Sequence, residues 1–355
     1  MPLGAVADSE KLVELASGID ALYLSGRCEL ATDLVRSLEA GRESAAGTEG
    51  VPFSLGGEEF RLAGYAFGKH RYRLEHVNGL LGLTVSRALP TVRVQPRAEL
   101  LHSVGPVAAL AWFDRVIRWE CDDVYWSVSR VDLFSDWQGW TLTPDDRGRF
   151  VCRATRRDTH EDGERLTGFE FGRRKGKTVC ARIYDKTLQV EQKGLDWWPQ
   201  VWGSGFDPER QVVRVEFELG RVALRDFDLD APADVLDAAG SLWASLSTDW
   251  LTHRDRGADR TRSRWAISEE WRSIQHPTMR SDAIGLDRMA AGRRRGSLRK
   301  LMPGLNGYLA SFAAHVGTDD IADTLAVLPP HLRDYQVLSR RSFSERVAEK
   351  RAVTL

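Results

Sequence analysis

The tightest constraint on the fold lies in residues 166–191, LTGFEFGRRKGKTVCARIYDKTLQVE, which alternate on both sides of a basic, glycine-containing turn. Phe169 and Phe171 alternate with other residues on the way in, and Val179, Ala181 and Ile183 do so on the way out. Side chains two apart on a strand share a face, so this spacing predicts an antiparallel hairpin with its turn at 173–177. The returning strand then sets Arg182, Tyr184 and Lys186 on the face opposite Ile183. A phenol flanked by two cations is a place to hold or make a phosphate ester. The same residues also suit a half-buried strand tyrosine with solvated neighbours.

Two further segments repeat this grammar. Arg130-Val131-Asp132, Arg182-Ile183-Tyr184 and Arg214-Val215-Glu216 each put an arginine and a second functional group on either side of one β-branched residue. Both polar members therefore share a face. The third segment continues to Glu218, and the first reaches Asp136 if its strand runs that far. If the three strands are neighbours, one sheet face carries a tyrosine, three arginines and several carboxylates. Clustered carboxylates suit a hard divalent ion, Mg²⁺ or Mn²⁺. They suit a salt-bridged sheet face equally well.

The rest of the chain supplies the frame. Residues 9–16 and 31–40 have helical spacing, 41–50 (GRESAAGTEG) reads as a flexible loop, and 51–94 alternates between repeated glycines as short antiparallel strands do. Residues 104–119 predict a helix opened by Pro106, with Val107, Leu110, Ala111, Val116 and Ile117 facing inward. Strands are expected at 124–134, 150–156 and 211–219. Beyond Asp230 the pattern turns helical, with Val235, Leu236, Ala239, Leu242, Trp243, Leu246 and Trp250 forming a stripe. The expected fold class is α+β: a mainly antiparallel sheet flanked by helices, with a smaller helical, basic C-terminal region. The expected units are residues 1–228 and 229–355.

Composition narrows the function. The net charge is −1, so any nucleic-acid surface is local. Four cysteines without CxxC spacing point to free thiols in a reducing, cytoplasmic setting. No apolar run reaches the roughly 18 residues of a membrane span, and the N-terminus lacks a secretory pattern. The eight histidines form no His-apolar-His pair, no candidate nucleophile is bracketed as a Ser-His-Asp or Cys-His site would require, and FGRRKGK is not a P-loop.

In their order, SRVDLFSD at 129–136, TGFEFGRRKGKTVCARIYDKTLQVE at 167–191 and RVEFELGRVAL at 214–224 resemble the replication initiation factor (Rep_trans) family. IDALYLSG at 19–26 is a weaker echo of the family's start, and the likeness spans roughly 19–225. The family includes initiators of rolling-circle plasmids and related relaxases of integrative conjugative elements. The resemblance implies a site-specific DNA nicking and joining enzyme in which Tyr184 attacks a phosphodiester, forms a 5′-phosphotyrosine and frees a 3′-OH. Arg182 and Lys186 would favour the phenolate. Asp132, Glu216 and Glu218 would bind Mg²⁺ or Mn²⁺, and Arg130 and Arg214 would clamp phosphate or pair with carboxylates. DNA single-stranded at the nick is the implied partner, with a helicase and a second copy of the chain as further candidates. A non-enzymatic, sequence-specific DNA-binding protein on the same scaffold is the competing expectation.

Basic residues mark the remaining DNA candidates. Arg173, Arg174 and Lys175 crowd the hairpin turn. Residues 251–300 hold thirteen Lys/Arg against six Asp/Glu, densest at Arg293, Arg294 and Arg295. Trp197, Trp198 and Trp202 suit core packing, or stacking on unpaired bases.

Overall fold

The computed structural model describes residues 11–121, 123–174, 178–280, 298–339, 342–345 and 347. Thirteen strands are described: β1 Val13–Arg27, β2 Val51–Leu55, β3 Glu58–Ala63, β4 Tyr72–His76, β5 Gly79–Leu83, β6 Val92–Pro96, β7 Tyr125–Gln138, β8 Phe150–Cys152, β9 Arg157–Asp162, β10 Arg165–Phe171, β11 Val179–Asp185, β12 Val212–Gly220 and β13 Leu251–His253. The helices are α1 Thr32–Ser44, α2 Ala98–Val104, α3 Pro106–Glu120, α4 Asp146–Arg149, α5 Lys186–Lys193, α6 Trp198–Trp202, α7 Arg221–Asp226, α8 Pro232–Asp237, α9 Ala239–Ser245, α10 Glu269–Ile274, α11 Leu298–Val316 and α12 Ile321–Ser339. The fold is α+β, a large antiparallel sheet flanked by helices and followed by a helical C-terminal region.

Eleven strands make one sheet, in the order β2-β3-β4-β5-β6-β1-β7-β12-β11-β10-β9. Strand β1 is the seam: it pairs antiparallel with β6 on one side and β7 on the other. The three segments of shared grammar are adjacent, as β7, β12 and β11. Strand β12 is buried along its whole length, although Arg214, Glu216 and Glu218 alternate with Val215, Phe217 and Leu219 along it.

The seam strand departs from the sequence expectation. Helical spacing is expected at 9–16, but Val13–Ala16 open β1; residues 9 and 10 lie outside the described residues. Val13 pairs with Gln138 and Ala16 with Asp136, and those ladder bonds outweigh a short local preference. Around Pro106, Gly105 at φ 80 separates α2 from α3, and Pro106 opens α3 as expected. The inward face differs, however. Ala109, Phe113, Val116 and Ile117 are buried, whereas Val107 is 70% exposed. The loop expected at 41–50 starts late, because α1 runs through Ser44.

Residues 229–280 do not separate from the sheet. Strand β13 pairs with β8, and Trp243 and Trp271 are fully buried in the core. The compact units are accordingly Met1–Asp287 and Arg288–Leu355, so the boundary expected at 228 falls inside the first. In the second unit, α11 and α12 pack together. Among the described residues no single helix is long and apolar enough to cross a membrane.

Candidate active site

Strand pairing decides which charges meet. Glu218 lies opposite Asp132, Glu216 opposite Arg182, and Arg214 between Tyr184 on one side and Asp136 on the other. Because β12 is central, its charged residues cannot reach bulk water and must be paired within the face.

Each charge has a partner. Arg130 grips Asp132 with two nitrogens, one at 2.7 Å, and reaches Glu218 at 3.0 Å. Arg182 pairs with Glu216 Oε1, and the Tyr184 hydroxyl donates to Glu216 Oε2 at 2.9 Å. Deeper in the sheet, Arg214 makes a bidentate pair with Asp136 at 2.6 and 2.7 Å. It also contacts Asp20 at 3.0 Å, and Trp202 donates to Asp136 at 2.8 Å. The guanidinium of Arg182 sits over the Tyr184 ring at 5.4 Å.

Lys186 is not on the strand face. Strand β11 ends at Asp185, whose carboxylate accepts the backbone N–H of Leu188 and caps α5. The chain therefore turns, and Lys186 becomes the first helical residue, only 2% exposed. Its Nζ donates to Gln189 at 2.8 Å and lies over Trp198, the ring that also carries Arg214. Gln189 and Lys193 follow on the same helix face and reach the surface near Tyr184.

A cavity of about 210 Å³ opens on this face, lined among others by Tyr184, Glu216, Arg182, Arg130 and Asp132. Arg174 from the hairpin turn and Lys193 from α5 stand at the same cavity. Arg173 is exposed and lines no described cavity; Lys175, Arg293, Arg294 and Arg295 lie outside the described residues. Trp198 and Trp202 are buried in a small core with Phe134, so packing is their role.

Burial sets the protonation of these groups. It pushes the Tyr184 phenol well above its ordinary value, and the Glu216 charge adds to this. Burial drives Asp132 up to about 7; Glu216 and Glu218 help, while Arg130 opposes. Burial also works to raise Glu216, but Arg182 and Arg214 prevail and hold it below the ordinary carboxylate range. Lys186 is lowered to about 7, first by burial and then by Arg214 beside it.

The carboxylates expected to hold Mg²⁺ or Mn²⁺ do share the face. With Arg130 on Asp132 and Glu218, and Arg182 on Glu216, they present no open ligand set. Among the described residues no group of three His, Cys, Asp or Glu side chains has metal-holding spacing. This arrangement does not fit an ion.

Several contributors escape sequence reading. Asp20 and Tyr23 come from β1; Tyr23 lines the same cavity under Arg130, whose guanidinium is 5.1 Å from its ring. The IDALYLSG echo was the available signal. His102 on α2 contacts Asp20 at 3.2 Å. Gly168 lies directly opposite Tyr184, where a Cβ would stand 2.5 Å from the Ile183 carbonyl and 2.7 Å from Tyr184 Cβ. A hydrogen-bonded Asp146–His253–Ser268 chain also exists, at 3.0 and 2.8 Å, although no such set is bracketed in sequence. All three residues are buried, and Ser268 Oγ already caps α10.

No protein-family model and no curated protein matches the chain. A solved structure described as a rolling circle replication initiator protein from Geobacillus stearothermophilus is similar over 75% of this chain and 96% of its own length, with TM-score 0.43 and 14% identity.

Proposed function

We propose that this chain is a site-specific DNA strand transferase, nicking and rejoining one strand to start rolling-circle replication or conjugative transfer of a mobile element. The observation that carries the reading is the Tyr184 hydroxyl, hydrogen-bonded at 2.9 Å to Glu216 on the wall of a cavity that Arg182, Arg130, Arg174 and Lys193 also line. A phenol is a poor nucleophile while protonated. Here the departing proton has an acceptor in place, and the cations can take the charge that develops on phosphorus-bound oxygens. The Tyr184 oxygen forms a bond to the scissile phosphorus, the P–O3′ bond breaks, and the 3′-oxygen leaves as a hydroxyl with a proton from water. The 5′-phosphotyrosine conserves the ester for rejoining. Arg182 is the phosphate-binding group nearest the phenol. Arg214 and Lys186 act as buried supports: Arg214, on the same face, orders Asp20 and Asp136, and Lys186 orders Gln189.

An Mg²⁺ or Mn²⁺ ion joins this reading only by displacing Arg130 or Arg182 from its carboxylates. Titration of the protein with Mn²⁺, followed by thermal melting, tests that. A melting temperature unchanged up to millimolar Mn²⁺ removes the ion from the reading.

The test of the function is incubation with supercoiled DNA carrying the chain's own locus. The expected product is nicked DNA with protein covalently attached through the Tyr184 peptide. The second reading, a DNA-binding protein without catalysis, draws support from the completeness of the arginine–carboxylate pairing. Sequence-specific binding with no adduct under any metal condition would establish it.

A further inference from the structure

A second, larger cavity of about 450 Å³ also borders Tyr184, against α5, the edge strand β9 and its neighbour β10. Tyr184, Arg182, Arg174, Gln189 and Lys193 line both spaces, so the phenol stands on the wall between them. The two spaces differ in character. The smaller is crowded by ion-paired side chains and suits a phosphate. The larger falls in the size range of small-ligand sites. It has Phe169, Leu188, Asp162 and Gln192 among its lining. Gln192 Nε2 donates to Asp162 Oδ2 at 3.2 Å, which sets an amide and a carboxylate side by side.

Resting on the strand-transfer reading, we propose that this cavity receives the base of one nucleotide flanking the scissile phosphate, and that Gln192 and Asp162 select a base bearing an exocyclic amino group. With the phosphate held at Tyr184 and Arg182, the adjoining nucleoside has the larger cavity as its nearest unfilled space. Single-stranded bases are read through hydrogen bonds along their edges once unstacked. An ionised carboxylate only accepts, so Asp162 takes an amino N–H of adenine, cytosine or guanine. Thymine has no amino group: its one edge donor, N3–H, lies between two carbonyl oxygens that the carboxylate repels, so it is held less well. The neighbouring amide both donates and accepts, so Gln192 bonds the ring nitrogen or carbonyl beside the amino group.

The experiment needs no cleavage. A randomised single-stranded library is selected for retention on the Tyr184→Phe protein and sequenced. The expected result is one position depleted in thymine by about tenfold, within the range a good base contact gives. Gln192 is exposed on the surface of α5, so Gln192→Ala leaves the fold intact; added to Tyr184→Phe, it should flatten preference at that position alone. Asp162→Asn supplies a donor as well as an acceptor and should readmit thymine. Wild-type protein is then given the selected sequences, and its nick should fall next to the thymine-depleted position. Identical profiles from the parent and both variants overturn the proposal, as does a nick remote from that position. Absence of any covalent adduct is read separately, on a denaturing gel, and tells against the strand-transfer reading; the base preference of the cavity is still measured.

Discussion

Two buried polar networks in the first unit have similar connectivity and opposite access. The Tyr184–Glu216–Arg182 set lies on the sheet face and borders two cavities. The Ser268–His253–Asp146 set links hydroxyl, imidazole and carboxylate in the order of a hydrolase triad, yet His253 and Ser268 are wholly buried and Ser268 is committed to capping α10. No substrate atom can reach that hydroxyl. The second network instead ties β13 and α10 to the turn before β8, and so secures residues 251–274 against the sheet core. A chain of hydrogen bonds therefore becomes a candidate site only where a cavity meets its reactive atom, and becomes a fastening where every partner is sealed in.

Four experiments sharpen or break this contrast. The largest effect belongs to Tyr184→Phe, which removes one oxygen and keeps the ring. Adduct and nicking should fall below detection while binding of single-stranded DNA persists. An adduct that survives, or one that maps to Tyr23 or Tyr125, would sink the assignment of the nucleophile. His253→Ala should do the reverse. It leaves Asp146 and Ser268 without their buried partner and should cost about 3 kcal/mol in urea denaturation, with adduct yield per folded molecule unchanged. A loss of adduct without loss of stability would mean that the sealed network serves chemistry after all.

Lys186→Met probes the support behind Tyr184. The lysine titrates at about 7 when folded against 10.5 ordinarily. Between those values the unfolded chain binds a proton that the folded chain has released, so wild-type stability rises with pH across that window. The variant lacks this term. Its stability relative to wild type should be highest at and below pH 7 and should fall by about 2 kcal/mol as pH rises to 9, measured by urea denaturation at each pH. A difference independent of pH would place a charged, solvated ammonium at this position. The smallest effect is expected from Gly168→Ala. The added methyl must push against the Ile183 carbonyl and Tyr184, and displacement of a nucleophile by a fraction of an ångström should slow adduct formation about tenfold with little change in DNA binding. Unaltered rates would show that the β10–β11 pairing does not position the phenol.

Much of the sheet face was legible from local pattern. Alternation has a period of two within each strand, so Arg130 with Asp132, Arg182 with Tyr184, and Arg214 with Glu216 could be assigned to shared faces without any knowledge of neighbours. The hairpin of β10 and β11 was legible for the same reason. At Asp185 the pattern misled: alternation continues to Lys186 on paper, but the aspartate caps a helix and the lysine turns inward over Trp198. The start of β1 misled as well, because a strand of mixed residues owes its conformation to β6 and β7, more than sixty residues away in sequence.

By itself the sequence determined which groups each strand presents, since that follows from backbone geometry over a few residues. Tertiary structure alone decided that β7, β12 and β11 lie side by side, and that β1 adds Asp20 and Tyr23 to their face. It also decided that arginines occupy the carboxylates and that a Ser–His–Asp chain ends in a sealed core. The reason is physical: pairing, burial and the protonation that follows from them depend on residues far apart in the chain, and a linear pattern contains no term for the distance between them once folded.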